Sequence, residues 1–294
     1  MKYEAIDRLR GQHSVRKMAK VLEINASAYY QWRRRREAAR QRRLAEEKLV
    51  EQVRETFELS QRTYGYRRMC GALAARGIML SEYKVRYIMR SSGMYPISAT
   101  KYRPARSGRA TGRYLDNLFN QDFSTTRLNE KWAGDITYIK TKLGWVYLAA
   151  IIDLHNKEIV GYEISRKADT ELVCSALSYA LIKRGIASDN EIVFHCDRGI
   201  QYASKRFLNM LEINHITGSM SRAGCPYDNA VMEAFFSIAK RERIYRKEYP
   251  DITAVRRDIF DYIELFYNSK RIQTGLGNKP PLRFGLECLS GKAA

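Results

Sequence analysis

Lys131 to Thr141 reads KWAGDITYIKT, and the two stretches that follow it, Trp145 to Asp153 (WVYLAAIID) and Glu158 to Ser165 (EIVGYEIS), share its character. β-Branched and aromatic residues fill all three, and the breaks between them are short, as at Lys142-Leu143-Gly144. That pattern predicts a three-stranded antiparallel meander. One residue does not belong: Asp135 sits among side chains that would otherwise build a core, where an acid is costly unless a cation compensates it.

Downstream of the meander the pattern alternates. A helix is expected over about Asp169 to Arg184, then a strand over Glu191 to His195 that breaks at Asp197-Arg198-Gly199, then a helix and strand within Ser204 to Ser219. The loop Gly224-Cys225-Pro226 leads, with Asp228 or Asn229 as N-cap, into a helix from Ala230 to about Ile244 whose buried stripe is read as Val231, Ala234, Phe235 and Ile238. A last helix spans about Ile252 to Tyr267. Antiparallel strands followed by alternating helix and strand is an α/β order, and it matches a ribonuclease-H-like domain with a mixed five-stranded sheet.

Upstream the chain is helical and basic. Tyr3 to Arg10, Ser14 to Leu22 and Ala26 to Arg36 read as a helix-turn-helix unit, the third helix ending in Trp32 and the run Arg33, Arg34, Arg35, Arg36. After a charged connecting helix (about Ala38 to Leu59), a helix Tyr64 to Ala75 ended by Gly77 and a helix Glu82 to Arg90 N-capped by Ser81 form a second such unit. Residues 96 to 125 lose periodicity and fill with Gly, Pro, Ser and Arg, as a basic linker does. The expected division is therefore a helix-turn-helix unit at 1–37, the connecting helix and second unit at 38–95, the linker at 96–125, and a catalytic domain with a C-terminal helix at 126–294.

The 294 residues hold 52 Lys and Arg against 32 Asp and Glu, a net +20. Residues 1–113 carry 27 basic and 10 acidic side chains, so +17 of that excess lies in the helical part. A polyanion is the expected partner. The longest apolar run, Trp145 to Ile152, is far short of the roughly 20 residues that span a bilayer, so no membrane role and a cytoplasmic location are expected. Five scattered cysteines without a CxxC pair give neither a disulfide framework nor a zinc site, and His195, Cys196 and Cys225 read as packing residues.

Asp135, Asp197 and Glu233 stand out among the acids. Phosphodiester chemistry needs charge neutralised at phosphorus and an activated oxygen, and Mg²⁺ or Mn²⁺ held by a few carboxylates supplies both. Asp197 follows the apolar strand at its carboxyl end, where open sheets place ligand groups, although a turn residue would look the same. Glu233 lies about 200° around its helix from Val231, on a face shared with Asn229, Ser237 and Lys240. Alone it reads as a solvated glutamate.

Three segments change that reading: Trp132-Ala-Gly-Asp-Ile-Thr-Tyr-Ile, His195-Cys-Asp-Arg-Gly-Ile-Gln-Tyr and Ser221-Arg-Ala-Gly-Cys-Pro-Tyr-Asp-Asn-Ala-Val-Met-Glu-Ala-Phe-Phe. They resemble the catalytic blocks of bacterial insertion-sequence transposases, specifically the second reading-frame product of the insertion-sequence-three family, relatives of retroviral integrases. Thirty-five residues separate Asp197 from Glu233, the spacing of that acidic triad, and Lys240 falls where the family has a basic residue seven after the glutamate. Tyr64-Gly-Tyr-Arg-Arg and Tyr267-Asn-Ser-Lys-Arg extend the likeness over nearly the whole chain. Cys196, Ile200, Gln273 and Asn278 depart from the family pattern, and none is a proposed metal ligand.

The resemblance implies an enzyme that binds the terminal inverted repeats of its element, frees a 3′ hydroxyl and joins it to target DNA, with Asp135, Asp197 and Glu233 holding two Mg²⁺ or Mn²⁺ ions. It implies double-stranded DNA contacts at Lys240, Asn229 and Arg198, and the basic helical units themselves point to further contacts at Arg33 to Arg36, at Arg67 and Arg68, and at Lys84, Arg86 and Arg90. It also implies a homo-oligomeric synaptic complex, an upstream reading-frame product as possible fusion partner, and association with the bacterial nucleoid through DNA. A regulator that binds DNA without cutting it would explain the basic helices and leave the triad idle, whereas a ribonuclease-H-type nuclease would explain the triad and not the helical units.

Overall fold

A computed structural model of the chain describes residues 1–97, 114–186, 191–222 and 225–291. The first helices are α1 (Lys2–Leu9), α2 (Val15–Val21) and α3 (Ala26–Leu59). Ile6, Ala19 and Tyr29 form their small core, and the Tyr29 hydroxyl donates to Asp7 at 2.9 Å. The expected break between a third short helix and a connecting helix is absent. Ala26 to Leu59 contains no Gly or Pro and is rich in good helix formers, and pairs one turn apart such as Gln41–Glu37 (2.8 Å) and Arg43–Glu47 (3.0 Å) support its middle. The far half of α3 packs with α4 (Tyr66–Ala75) and α5 (Glu82–Ser91) around Val53, Met69, Leu73, Val85 and Ile88.

The sheet contains β1 (Lys131–Thr141), β2 (Gly144–Asp153), β3 (Ile159–Ser165), β4 (Val193–Cys196) and β5 (Thr217–Met220), in the order β3-β2-β1-β4-β5. β1, β2 and β3 pair antiparallel, and β4 and β5 add in parallel, the ribonuclease-H-like arrangement. Successive side chains of β2 serve opposite faces. Ala149 and Ile151 meet α6 (Thr170–Arg184) and α7 (Lys205–Ile213), while Leu148, Ala150 and Ile152 meet α8 (Ala230–Glu242) and α9 (Ile252–Tyr262). α9 continues as a π-helical segment, Ile263–Asn268, and α10 (Pro281–Leu289) closes the described chain. No helix among the described residues is long and apolar enough to cross a membrane.

Two expectations need correction here. Of the stretch read as a linker, 98–113 lies outside the described residues, but 114–125 packs onto the sheet: Phe119 is buried and stacks on His195 with ring centroids 4.5 Å apart, and Leu115 lies against the α7 side. On α8 the buried stripe is Met232, Phe235, Phe236 and Ala239, one residue on from the expected set, and Ala234 is exposed. The run AVMEAFFSIAK offers an apolar stripe in either register, and packing selects the one that buries both phenylalanines.

Candidate active site

β1 and β4 set the first two acids side by side. Their parallel register pairs Ala133 with His195, so Asp135 and Asp197, two residues further along each strand direction, reach the same level. Gly134 permits the close approach, since a Cβ there would stand 2.5 Å from the Phe194 ring. α8 is tied to the same strand by Asn229, whose amide donates to the Gly134 carbonyl at 3.2 Å, and Glu233 follows one turn later.

The electrostatics are those of acids brought together with only partial compensation from Lys240. Desolvation, then the neighbouring carboxylates of Asp197 and Glu233, push the half-buried Asp135 carboxyl up to about 8, even though its own Oδ1 accepts from the Ile136 amide at 2.8 Å. Desolvation raises Asp197 as well, against the hydrogen bond its Oδ1 accepts from Gly199 at 2.9 Å, and it raises Glu233. Among the described residues no three His, Cys, Asp or Glu side chains are gathered tightly enough to hold a metal ion as they stand. A cleft of about 640 Å³ opens beside the acids, lined by Asp135, Thr137, Tyr138, Glu233, Ser237 and Lys240. Lys240 Nζ lies 5.0 Å from the Tyr138 ring centre, and desolvation lowers its pKa while Asp135 pulls the other way. A second cleft of about 650 Å³, between α6 and α7, holds no comparable cluster of acids.

Residues 125–226 and 214–281 match the integrase core domain family, and residues 44–102 match an HTH-like domain. The chain is 35% identical over 285 residues to the transposase InsF for insertion sequence IS3A of Escherichia coli (strain K12), covering 97% of this chain and 98% of that one. The chain belongs to the IS3-family transposases. The transposase for insertion sequence element IS904 of Lactococcus lactis subsp. lactis (strain IL1403) is 37% identical over 238 residues, 80% of this chain and 92% of its own. Similar solved chains include one in the simian T-cell lymphotropic virus intasome with PP2A regulatory subunit B56 gamma, at 18% identity and a TM-score of 0.46 over 74% of this chain and 70% of that one. Another is the HTLV-2 integrase catalytic core domain in complex with magnesium, at 16% identity and 0.40 over 59% and 99%.

This IS3-family transposase uses several expected DNA-contact residues internally. Asn229 is buried and docks α8 on β1 without facing solvent, and it caps α8 by position only, with no side-chain cap hydrogen bond. Asp228, the other expected N-cap, instead closes the preceding loop by accepting from the Arg222 amide at 2.8 Å and from its guanidinium at 3.2 Å. Arg198 Nε donates to the Ser221 carbonyl at 2.8 Å and its guanidinium covers Tyr114. Arg68 turns inward to Glu242, and Lys84 bonds Glu46 at 2.7 Å. Arg33 and Arg36 lean on Asp7, whereas Arg34, Arg35, Arg67, Arg86 and Arg90 are exposed. Tyr83 and Tyr87, which charge counting overlooks, stand exposed on the surface they share with Arg86 and Arg90; their spacing at i and i+4 on a basic helix is the signal that marks them. His195 is buried between Ser219 (2.8 Å) and Ser221 (3.0 Å), with burial depressing its pKa to about 4, as a packing residue.

Proposed function

We propose that this DNA transposase holds two Mg²⁺ or Mn²⁺ ions on Asp135, Asp197 and Glu233 and cuts and joins the terminal inverted repeats of its element there. The observation that carries the reading is the convergence of three carboxylates from β1, the end of β4 and α8, with Asp135 pushed up to about 8 by desolvation and its two neighbours. Such a donor set suits a hard divalent cation, which relieves the mutual repulsion. Bound there, the ions supply Lewis-acid activation of the attacking oxygen and neutralise charge at the phosphate. Asn229 keeps α8 against β1, and Lys240, anchored over Tyr138, offers a point charge to a phosphate beside the cut. Residues 1–37 and 38–95 bind the DNA, through Arg34, Arg35, Arg67, Arg86 and Arg90 foremost, and 126–294 cut it. Two or more copies assemble on paired ends in the bacterial cytoplasm, with an upstream reading-frame product as a further partner.

The test is to incubate the protein with its element's end DNA and Mg²⁺ and to map the products. One cut at the element boundary, leaving a 3′ hydroxyl that joins a second DNA, is expected. Cutting without regard to sequence points to a nuclease, and binding without cutting points to a regulator.

Two further results are expected. Lys240→Ala should weaken strand transfer of pre-cleaved ends by about tenfold at low salt, and by less at higher salt as the phosphate contact is screened, with Lys240→Arg milder because the charge survives. Equal transfer by Lys240→Ala and the parent at two salt concentrations removes Lys240 from the site. End binding should weaken with salt at a log–log slope of about −5 if roughly six phosphates are neutralised, and replacing Arg34 and Arg35 together by alanine should reduce that slope by about 2. An unchanged slope places the DNA elsewhere.

A further inference from the structure

Two motifs that the acidic site does not use, Tyr64-Gly-Tyr-Arg-Arg and Tyr267-Asn-Ser-Lys-Arg, lie against one another. The buried Tyr64 hydroxyl, just before α4, accepts from the Ile272 amide at 2.8 Å and donates to the Lys270 carbonyl at 3.2 Å. Ile272 in turn enters the core of the helical unit beside Val53 and Met69. Arg271 is fully buried and grips Glu242 with two parallel bonds, Nε to Oε2 at 2.9 Å and Nη2 to Oε1 at 2.8 Å. Tyr262 donates to Glu242 Oε2 at 3.0 Å, and Arg68 of α4 brings a second guanidinium to 4.0 Å from Oε1. α4 has also come as close as a glycine allows, because a Cβ on Gly71 would stand 2.8 Å from Asn278 Cγ.

Glu242 is the last residue of α8, the helix that carries Glu233. Nine residues at 1.5 Å each put the two glutamates about 13 Å apart along the axis, and nine steps of 100° put them on opposite sides of the helix. One faces the cleft and the other is held inside. A shift or roll of α8 at Glu242 therefore moves Glu233. Stability alone does not account for such a cluster, since apolar residues of similar volume commonly stabilise as well as a buried ion pair does. What the cluster adds is direction: the bidentate Arg271–Glu242 bonds fix one seating of the 270–272 segment on α8, and Tyr64 and the nearby Arg68 tie the helical unit to that seating.

We propose that Tyr64, Arg68, Glu242 and Arg271 form a latch through which the seated helical unit sets the position of α8 and of Glu233, coupling the DNA-binding part of the chain to its cutting site. The proposal rests on the assignment of Glu233 to the reaction. These four are positioning residues and touch neither DNA nor the reacting phosphate.

The test uses the full chain and the variants Tyr64→Phe, which removes both hydroxyl bonds without touching α8, and Arg68→Lys, which keeps the charge and loses the guanidinium fork. End-DNA affinity is expected to stay within about twofold, while the cutting rate falls by about tenfold in Tyr64→Phe and by less in Arg68→Lys. Mn²⁺ binding, followed without turnover by electron paramagnetic resonance, should weaken by about threefold or more per folded molecule. Parent-like cutting and Mn²⁺ affinity in both variants, while Glu233→Gln abolishes cutting, overturns the latch. Cutting lost only in proportion to folded protein, with Mn²⁺ affinity per folded molecule unchanged, also overturns it, because the cluster is then structural alone. Parent-like cutting by Glu233→Gln overturns instead the assignment beneath it.

Discussion

Glu233→Gln is expected to lower DNA cutting by at least about 10³-fold, some 4 kcal/mol of transition-state stabilisation, while end binding changes by less than about twofold. The side chain is exposed on α8, so an isosteric amide leaves the fold intact. It removes one of the three negative charges proposed to hold the ions and leaves the helical units untouched. Gel-shift binding and single-turnover cutting on the same end DNA check both halves of the expectation. A parallel loss of binding and cutting would sink the assignment of Glu233 as a ligand.

That the acids could be found in the sequence follows from the sheet. A strand buried on both faces has no place for an acid, so Asp135 within KWAGDITYIKT is anomalous from its neighbours alone, and Asp197 is marked by the apolar strand that ends just before it. Glu233 carries no such mark, since an exposed glutamate on a helix is ordinary. Its spacing from Asp197 and the family likeness single it out.

What escaped the sequence has physical reasons. The continuity of α3 is hidden because a charged helix of 34 residues has little apolar periodicity to follow, and tertiary packing fixes only its ends, at Tyr29 and at Val53 and Phe57. α10 opens at Pro281 after a second proline, which reads as a break, although proline suits the first turn of a helix, where its missing N–H costs nothing. Phe119 follows a stretch of Gly, Pro and Arg whose composition conceals that the chain has already returned to the sheet. At Arg68, Lys84 and Arg198 composition shows only charge, and the fold decides that they already face Glu242, Glu46 and a carbonyl.

Asp135→Asn is expected to abolish cutting and, in metal-free buffer, to make the protein more stable. Folding raises the Asp135 carboxyl from its usual value of 3.8 to about 8 through desolvation and the carboxylates of Asp197 and Glu233. A group whose pKa is raised on folding binds its proton more tightly in the native state, so its contribution is fully present below pH 3.8. That contribution then drains away as pH climbs toward 8, because the unfolded chain releases the proton first. The parent should therefore lose stability across that window, reaching a few kcal/mol near pH 8, and an amide that never ionises escapes the loss. At roughly 2–4 °C per kcal/mol for a domain of this size, Asp135→Asn should melt several degrees above the parent at about pH 8 and close to it at about pH 4. Mg²⁺ should raise the parent at the higher pH and have little effect on the variant, since a cation on the carboxylates offsets the same repulsion. Thermal melts of both proteins at the two pH values, with and without Mg²⁺, measure every combination. An Asp135→Asn protein that melts at or below the parent at the higher pH would show that Asp135 is already compensated in the fold, and the strain attributed to the acidic cluster would then lie elsewhere.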